Sequence, residues 1–80
     1  MPRYFLHIYN SHGSAEDDEG LEANSLSEAR EVAVKGIRSL LAAEAANGEL
    51  NFTGRIEISS EAGQLLLTIP FADAITLKGL

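Results

Sequence analysis

Eighty residues leave room for one domain, and six Lys and Arg against twelve Asp and Glu give a net charge of −6. That balance excludes the clustered positive charge a nucleic-acid surface needs, because Arg3, Arg30, Lys35, Arg38, Arg55 and Lys78 are scattered along the chain. Cysteine is absent, which excludes disulfides and thiolate chemistry, while a hydrophobic fraction of 45% marks a folded domain with a thin core.

The chain opens Met1-Pro2-Arg3-Tyr4 without the charged and then apolar layout of a secretion signal. No apolar run approaches the ~20 residues of a membrane span. The expectation is a cytoplasmic protein that contacts neither membrane nor nucleic acid. Arg3 to Asn10 is rich in aromatic and β-branched types and predicts a first strand, with Tyr4, Leu6 and Ile8 on one side and Phe5, His7 and Tyr9 on the other. Ser11 to Gly20 is polar, has Gly13 and Gly20, and reads as loop. Leu21 to Ala23 suits a short second strand beside the first.

The helix signal is the clearest. Ser25-Leu26-Ser27-Glu28 fits a capping box, in which the Ser25 hydroxyl accepts from the Glu28 amide and the Glu28 carboxylate reaches back to Ser25. Leu26, Ala29, Val32, Ala33, Ile37, Leu40, Leu41 and Ala45 then recur at helical spacing. Gly36 interrupts this helix at a cost of ~1 kcal/mol relative to Ala, which suggests a close approach of helix to sheet. Asn47-Gly48 supplies a left-handed stop.

Arg55 to Ser59 alternates as a half-buried third strand. Glu61-Ala62-Gly63 has the glycine of a three-residue hairpin loop, and Gln64 to Ile69 is a fourth strand ended by Pro70. The fold class is α+β, β-β-α-β-β: a small, mostly antiparallel four-stranded sheet in order 2-1-3-4 with one helix packed on one face. The ordered domain spans residues 2–71, and 72–80 form a C-terminal tail.

No catalytic constellation emerges. Gly-x-Gly-x-x-Gly, Gly-Lys-Ser/Thr and Gly-x-Ser-x-Gly patterns are absent. His7 and His12 are the two histidines, and nothing in the spacing sets an acid or a nucleophile beside either ring. The acidic run Glu16-Asp17-Asp18-Glu19 fails the calcium-loop pattern: aligning Gly20 with its glycine puts Ala15 and Leu26 at the first and last ligand positions. The run therefore reads as a solvated loop, and no metal or cofactor is expected.

The far side of the sheet carries the candidate interface. If Tyr4, Leu6, Ile8, Ile56, Ile58, Leu65, Leu67 and Ile69 face the helix, the reverse side presents Phe5, His7, Tyr9, Leu66 and Thr68, rimmed by Arg55 and Glu57. Either a partner or the tail Phe71 to Leu80 covers that patch. The expected function is a non-catalytic protein-interaction module that forms a homodimer through this side. An acidic inhibitor of a basic protein partner is the alternative, and a metal-binding or hydrolytic protein using His7, His12 and the acidic loop ranks last.

Several segments agree in order and spacing with a known family. They are Met1-Pro2-Arg3-Tyr4-Phe5-Leu6-His7-Ile8, Asp17-Asp18-Glu19-Gly20, Glu28-Ala29-Arg30 in the helix, Glu61-Ala62-Gly63, and Leu67-Thr68-Ile69-Pro70-Phe71. Over Met1 to Phe71 the chain resembles a family of short proteobacterial proteins classed as a domain of unknown function, which typically opens Met-Pro-Arg-Tyr-Phe-Phe-His. Leu6 departs from that opening. The resemblance implies no reaction, cofactor or catalytic residue. A strand pair followed by a Ser-Leu-Ser-Glu-Ala helix is also similar in architecture to HicB-type antitoxins, whose small α+β domain binds a toxin; the added DNA-binding segment of that type is missing here.

Overall fold

The computed structural model of the chain describes residues 2–79. The elements run β1 (Arg3–Asn10), β2 (Gly13–Ala15), β3 (Leu21–Glu22), α1 (Leu26–Ala46), β4 (Gly54–Ser60), β5 (Leu65–Pro70) and a 3₁₀ turn (Phe71–Ala74). All pairings are antiparallel. The path is β2-β1-β4-β5, and β3 joins the same edge of β1 as β2. The α+β class, the single helix and the order of the four expected strands are therefore as read from the sequence.

A fifth strand corrects the expected loop. Gly13–Ala15 turns back on β1 with Ala15 opposite Ile8 and Gly13 opposite Asn10. The turn is tight: the Asn10 side-chain oxygen accepts from the His12 amide at 2.8 Å. Gly-Ser-Ala carries no apolar alternation, so its strand character comes from the turn rather than from its side chains.

Helix α1 starts where its cap predicts. Ser25 Oγ accepts from the Glu28 amide at 3.2 Å. The reciprocal half differs, because the Glu28 carboxylate takes the Asn24 amide and side chain instead of the Ser25 amide. At the other end Gly48 has φ +86°. Its amide donates to the Ala45 carbonyl and the Glu49 amide to the Glu44 carbonyl, the paired bonds of a Schellman stop.

The core is one cluster on one side of the sheet. Ala29, Ala33, Val34, Ile37 and Leu41 from α1 meet Tyr4, Ile56, Ile58 and Ile69 from the strands, with Leu6, Ile8 and Leu67 packed around them. Phe71 and Ala74 belong to the same cluster and Ile75 packs on it, so the packed domain runs past residue 71. The Arg38 guanidinium fixes the turn by donating from Nε to the Ala74 carbonyl at 2.7 Å. This also corrects the helix stripe. Val34 lies one turn before Arg38, on the flank the 3₁₀ turn shields, and is 8% exposed. Val32 lies on the opposite flank and is 44% exposed.

Two glycines have opposite physical roles. A Cβ on Gly36 would meet no atom within 4 Å, so no close approach explains it. It borders an apolar recess of about 80 Å³ lined by Ile8, Ile37, Leu40, Ile56 and Phe71. A Cβ on Gly54 would lie 2.7 Å from the Phe71 ring and 2.8 Å from the Tyr9 carbonyl oxygen. Gly36→Ala is therefore expected to stabilise the fold by about 1 kcal/mol through helix propensity. Gly54→Ala is expected to destabilise it by roughly 1–3 kcal/mol through overpacking against backbone. Urea midpoints of the two variants check both signs; a destabilising Gly36→Ala would contradict the packing described.

Candidate functional site

The strand registers fix what the uncovered side of the sheet carries. Phe5 lies opposite Ser59, which lies opposite Leu65. The next row is His7, Glu57 and Thr68, and the third is Tyr9, Arg55 and Pro70. Residues directly opposite in an antiparallel ladder share a side. Phe5, His7, Tyr9 and Thr68 thus stand on one side, away from α1. A bulge next to Ser59 alters the expected alternation in β5. Leu65, assigned to the helix side by simple alternation, sits opposite Ser59 and is 52% exposed. Leu66 is the extra residue and is 36% exposed.

The C-terminal turn does not reach this side, since Phe71, Ala74 and Ile75 pack with α1. Local polar structure covers part of it. The Arg55 guanidinium lies 4.5 Å from the centre of the Tyr9 ring. It is held there by Glu57, with Nε to Oε2 at 2.8 Å.

At the outer edge of β1, Asp17 closes the gap between β2 and β3. Its Oδ2 accepts from the Leu6 amide at 3.2 Å. Its Oδ1 accepts from the Glu19 and Gly20 amides at 3.2 and 2.9 Å. Its own amide donates to His7 Nδ1 at 3.1 Å. Arg3 ties down the same loop, with Nη1 donating to the Glu19 carbonyl and Nη2 paired with Glu22, both at 2.7 Å. Gly20 passes so close that a Cβ would lie 2.7 Å from Arg3 Cγ and 3.1 Å from the Phe5 ring.

The model of the family described as Domain of unknown function (DUF6894) matches residues 3–72, from β1 into the 3₁₀ turn. The chain belongs to this family. No curated protein and no solved structure matches it. The matched span holds β1 to β5, α1 and Phe71, so both the packed side and the uncovered side of the DUF6894 domain lie inside it.

The acidic loop therefore differs from the solvated run expected. Asp17 is a structural acceptor, and the acid beside His7 is one that spacing did not reveal. Its signal was Asp17-Asp18-Glu19-Gly20, the pattern of an Asx turn ending on a positive-φ glycine; Gly20 has φ +78°. Glu16, Asp18 and Glu19 are exposed. Among the described residues no three His, Cys, Asp or Glu side chains group to hold a metal ion. His12 sits in the exposed β1–β2 turn, and no hydrogen bond joins it to His7 or Asp17. Among the described residues no helix is long and apolar enough to cross a membrane.

Burial pushes the Asp17 carboxyl up, but the Gly20, Leu6 and Glu19 amides and the nearby His7 outweigh it and hold the group below its ordinary value of 3.8. A depressed folded value means the contribution is fully present above the ordinary value. It is lost as pH falls through the folded one. Asp17→Asn is expected to lower stability by about 1–2 kcal/mol at neutral pH, as hydrogen bonds to a charged acceptor are lost. The gap to the parent should close in acid. Urea midpoints across the acid range check this, and a gap independent of pH would contradict the role given to the carboxylate.

Proposed function

We propose that this domain is a non-catalytic protein-interaction module that self-associates through the sheet side opposite α1. One observation carries the reading: the helix and the C-terminal turn shield the same side, and apolar Leu65 and Leu66 are left exposed next to Phe5, His7, Tyr9 and Thr68. Exposed apolar surface on a small domain marks a contact site. The side is also electrically suited to a second copy. Arg55 and Glu57 neutralise each other on it, so this side adds no repulsion of its own toward a second copy despite the net charge of −6. Such a protein works in the cytoplasm and needs no cofactor.

The alternative, an acidic inhibitor of a basic protein, draws on net charge alone. The acids nearest the sheet are already committed within the chain: Asp17 to three amides, Glu22 to Arg3 and Glu57 to Arg55. That weakens the case for an acidic recognition surface on this side.

Light scattering at high micromolar concentration is expected to give the mass of a dimer. Phe5→Glu and Tyr9→Glu, each with the parent's helical circular dichroism, should give the mass of a single chain. A parent protein that stays monomeric, or a dimer indifferent to both variants, would refute the face contact.

A further inference from the structure

We infer that the outer flank of α1 binds the phosphate group of a small molecule through Arg30, Lys35 and Arg38. The basis is where this acidic chain leaves its cations unanswered. Of the six Lys and Arg, Arg3 is paired with Glu22 and Arg55 with Glu57. Arg30, Lys35, Arg38 and Lys78 make no ion pair within the described residues, and three of these four stand on α1. Along the chain they are scattered. A helix brings positions three and four apart onto one flank, so Arg30, Val34 and Arg38 form one row with Glu31 and Lys35 beside it.

These five side chains line a hollow of about 310 Å³. Sites for small molecules run from roughly 300 to 1,000 Å³. Val34 is the one buried member and gives the hollow an apolar floor, while the four charged side chains are exposed around it. Arg38 is already positioned. Its Nε donates to the Ala74 carbonyl at 2.7 Å, which fixes the plane of the guanidinium. Nη1 and Nη2 have no acceptor within the described residues, so the end of the fork is left for a pair of ligand oxygens. A fork held before the ligand arrives loses less entropy on binding.

Charge selects the class of ligand. Three cations against the single carboxylate of Glu31 leave two positive charges around the hollow. A phosphate monoester carries about −1.5 to −2 at neutral pH and offers three acceptor oxygens, whereas a carboxylate answers one of the two charges. Asp73, the acid of the 3₁₀ turn, does not line the hollow and forms no ion pair with Arg38. The remaining acids of the chain set a negative field that turns anions away elsewhere, so the flank of α1 is where one is admitted. It lies across the sheet from Phe5, His7 and Tyr9, so this site and the face contact use separate groups.

Phenyl phosphate titrated at low salt into the isotope-labelled full chain is the direct test, with benzoate as the carboxylate probe. Phenyl phosphate is expected to shift the amides of Arg30 to Arg38, Ala74 and Ile75 saturably, and benzoate to bind about tenfold more weakly. Arg30→Gln removes a side chain that holds nothing within the fold and should weaken phenyl phosphate about tenfold. Arg38→Lys keeps the charge and loses the fork; with helical circular dichroism retained, it should weaken binding by about the same factor. Equal affinity for benzoate, shifts spread equally to Arg3 and Arg55, or variants that bind as the parent does would overturn the site. Retention on vesicles containing phosphatidate with no response to phenyl phosphate would overturn it too. None of these readouts depends on the mass of the assembly, so failure here leaves the face contact standing.

Discussion

The large apolar elements of this fold that lie outside the sheet pack on it from one side. A helix buries one stripe, and a sheet has two sides, so a domain with one helix seals one of them. The C-terminal turn had the freedom to cover the other and does not. Phe71, 1% exposed, fills the space under α1 that Gly54 leaves open, and the Arg38 bond to the Ala74 carbonyl holds it there. Both large apolar contributions outside the strands therefore reinforce one core. The reverse side depends on short-range polar structure: Arg55 over Tyr9, and the Asp17 loop against Phe5 and His7.

The same asymmetry runs across the sheet. The acidic loop clusters at β1, where it caps an amide, anchors Arg3 and turns at Gly20. No comparable charge reaches β5, where Leu65 and Leu66 are exposed beside an unpaired backbone edge. On the uncovered side of the sheet, exposed apolar surface thus concentrates toward β5 rather than at the middle of the aromatic row. In a chain with a net charge of −6, contacts between copies are disfavoured over most of the surface and least disfavoured there. Membership of the DUF6894 family places these features inside a recognised domain without assigning them a reaction.

The sequence carried the signals that depend on local chemistry. The Ser25 cap, the Gly48 stop, the alternation in Arg55 to Ser59 and the Glu61-Ala62-Gly63 loop all act within a few residues, and all lie where their patterns put them. Signals that arise from contacts across the chain were not legible. Val34 is buried because a turn forty residues later packs beside it, which periodicity within the helix cannot encode. Gly-Ser-Ala becomes a strand because its hairpin turn delivers it to β1. The bulge beside Ser59 moves Leu65 to the uncovered side, although Gln64 to Ile69 reads as regular alternation. Asp17 looked like one acid in a solvated run; its role needs the Leu6 amide from another strand. Phe5, His7, Tyr9 and Thr68 stand on the expected side because β1 and most of β4 keep strict registers.

One-sided packing is tested most directly by proton–proton Overhauser contacts from the Phe71 ring. Contacts to Gly54, Ile37 and Ile56 are expected, and none to Phe5, Leu65 or Thr68. Contacts from Phe71 to Phe5 or Thr68 would put the C-terminal turn over the reverse side and contradict the account.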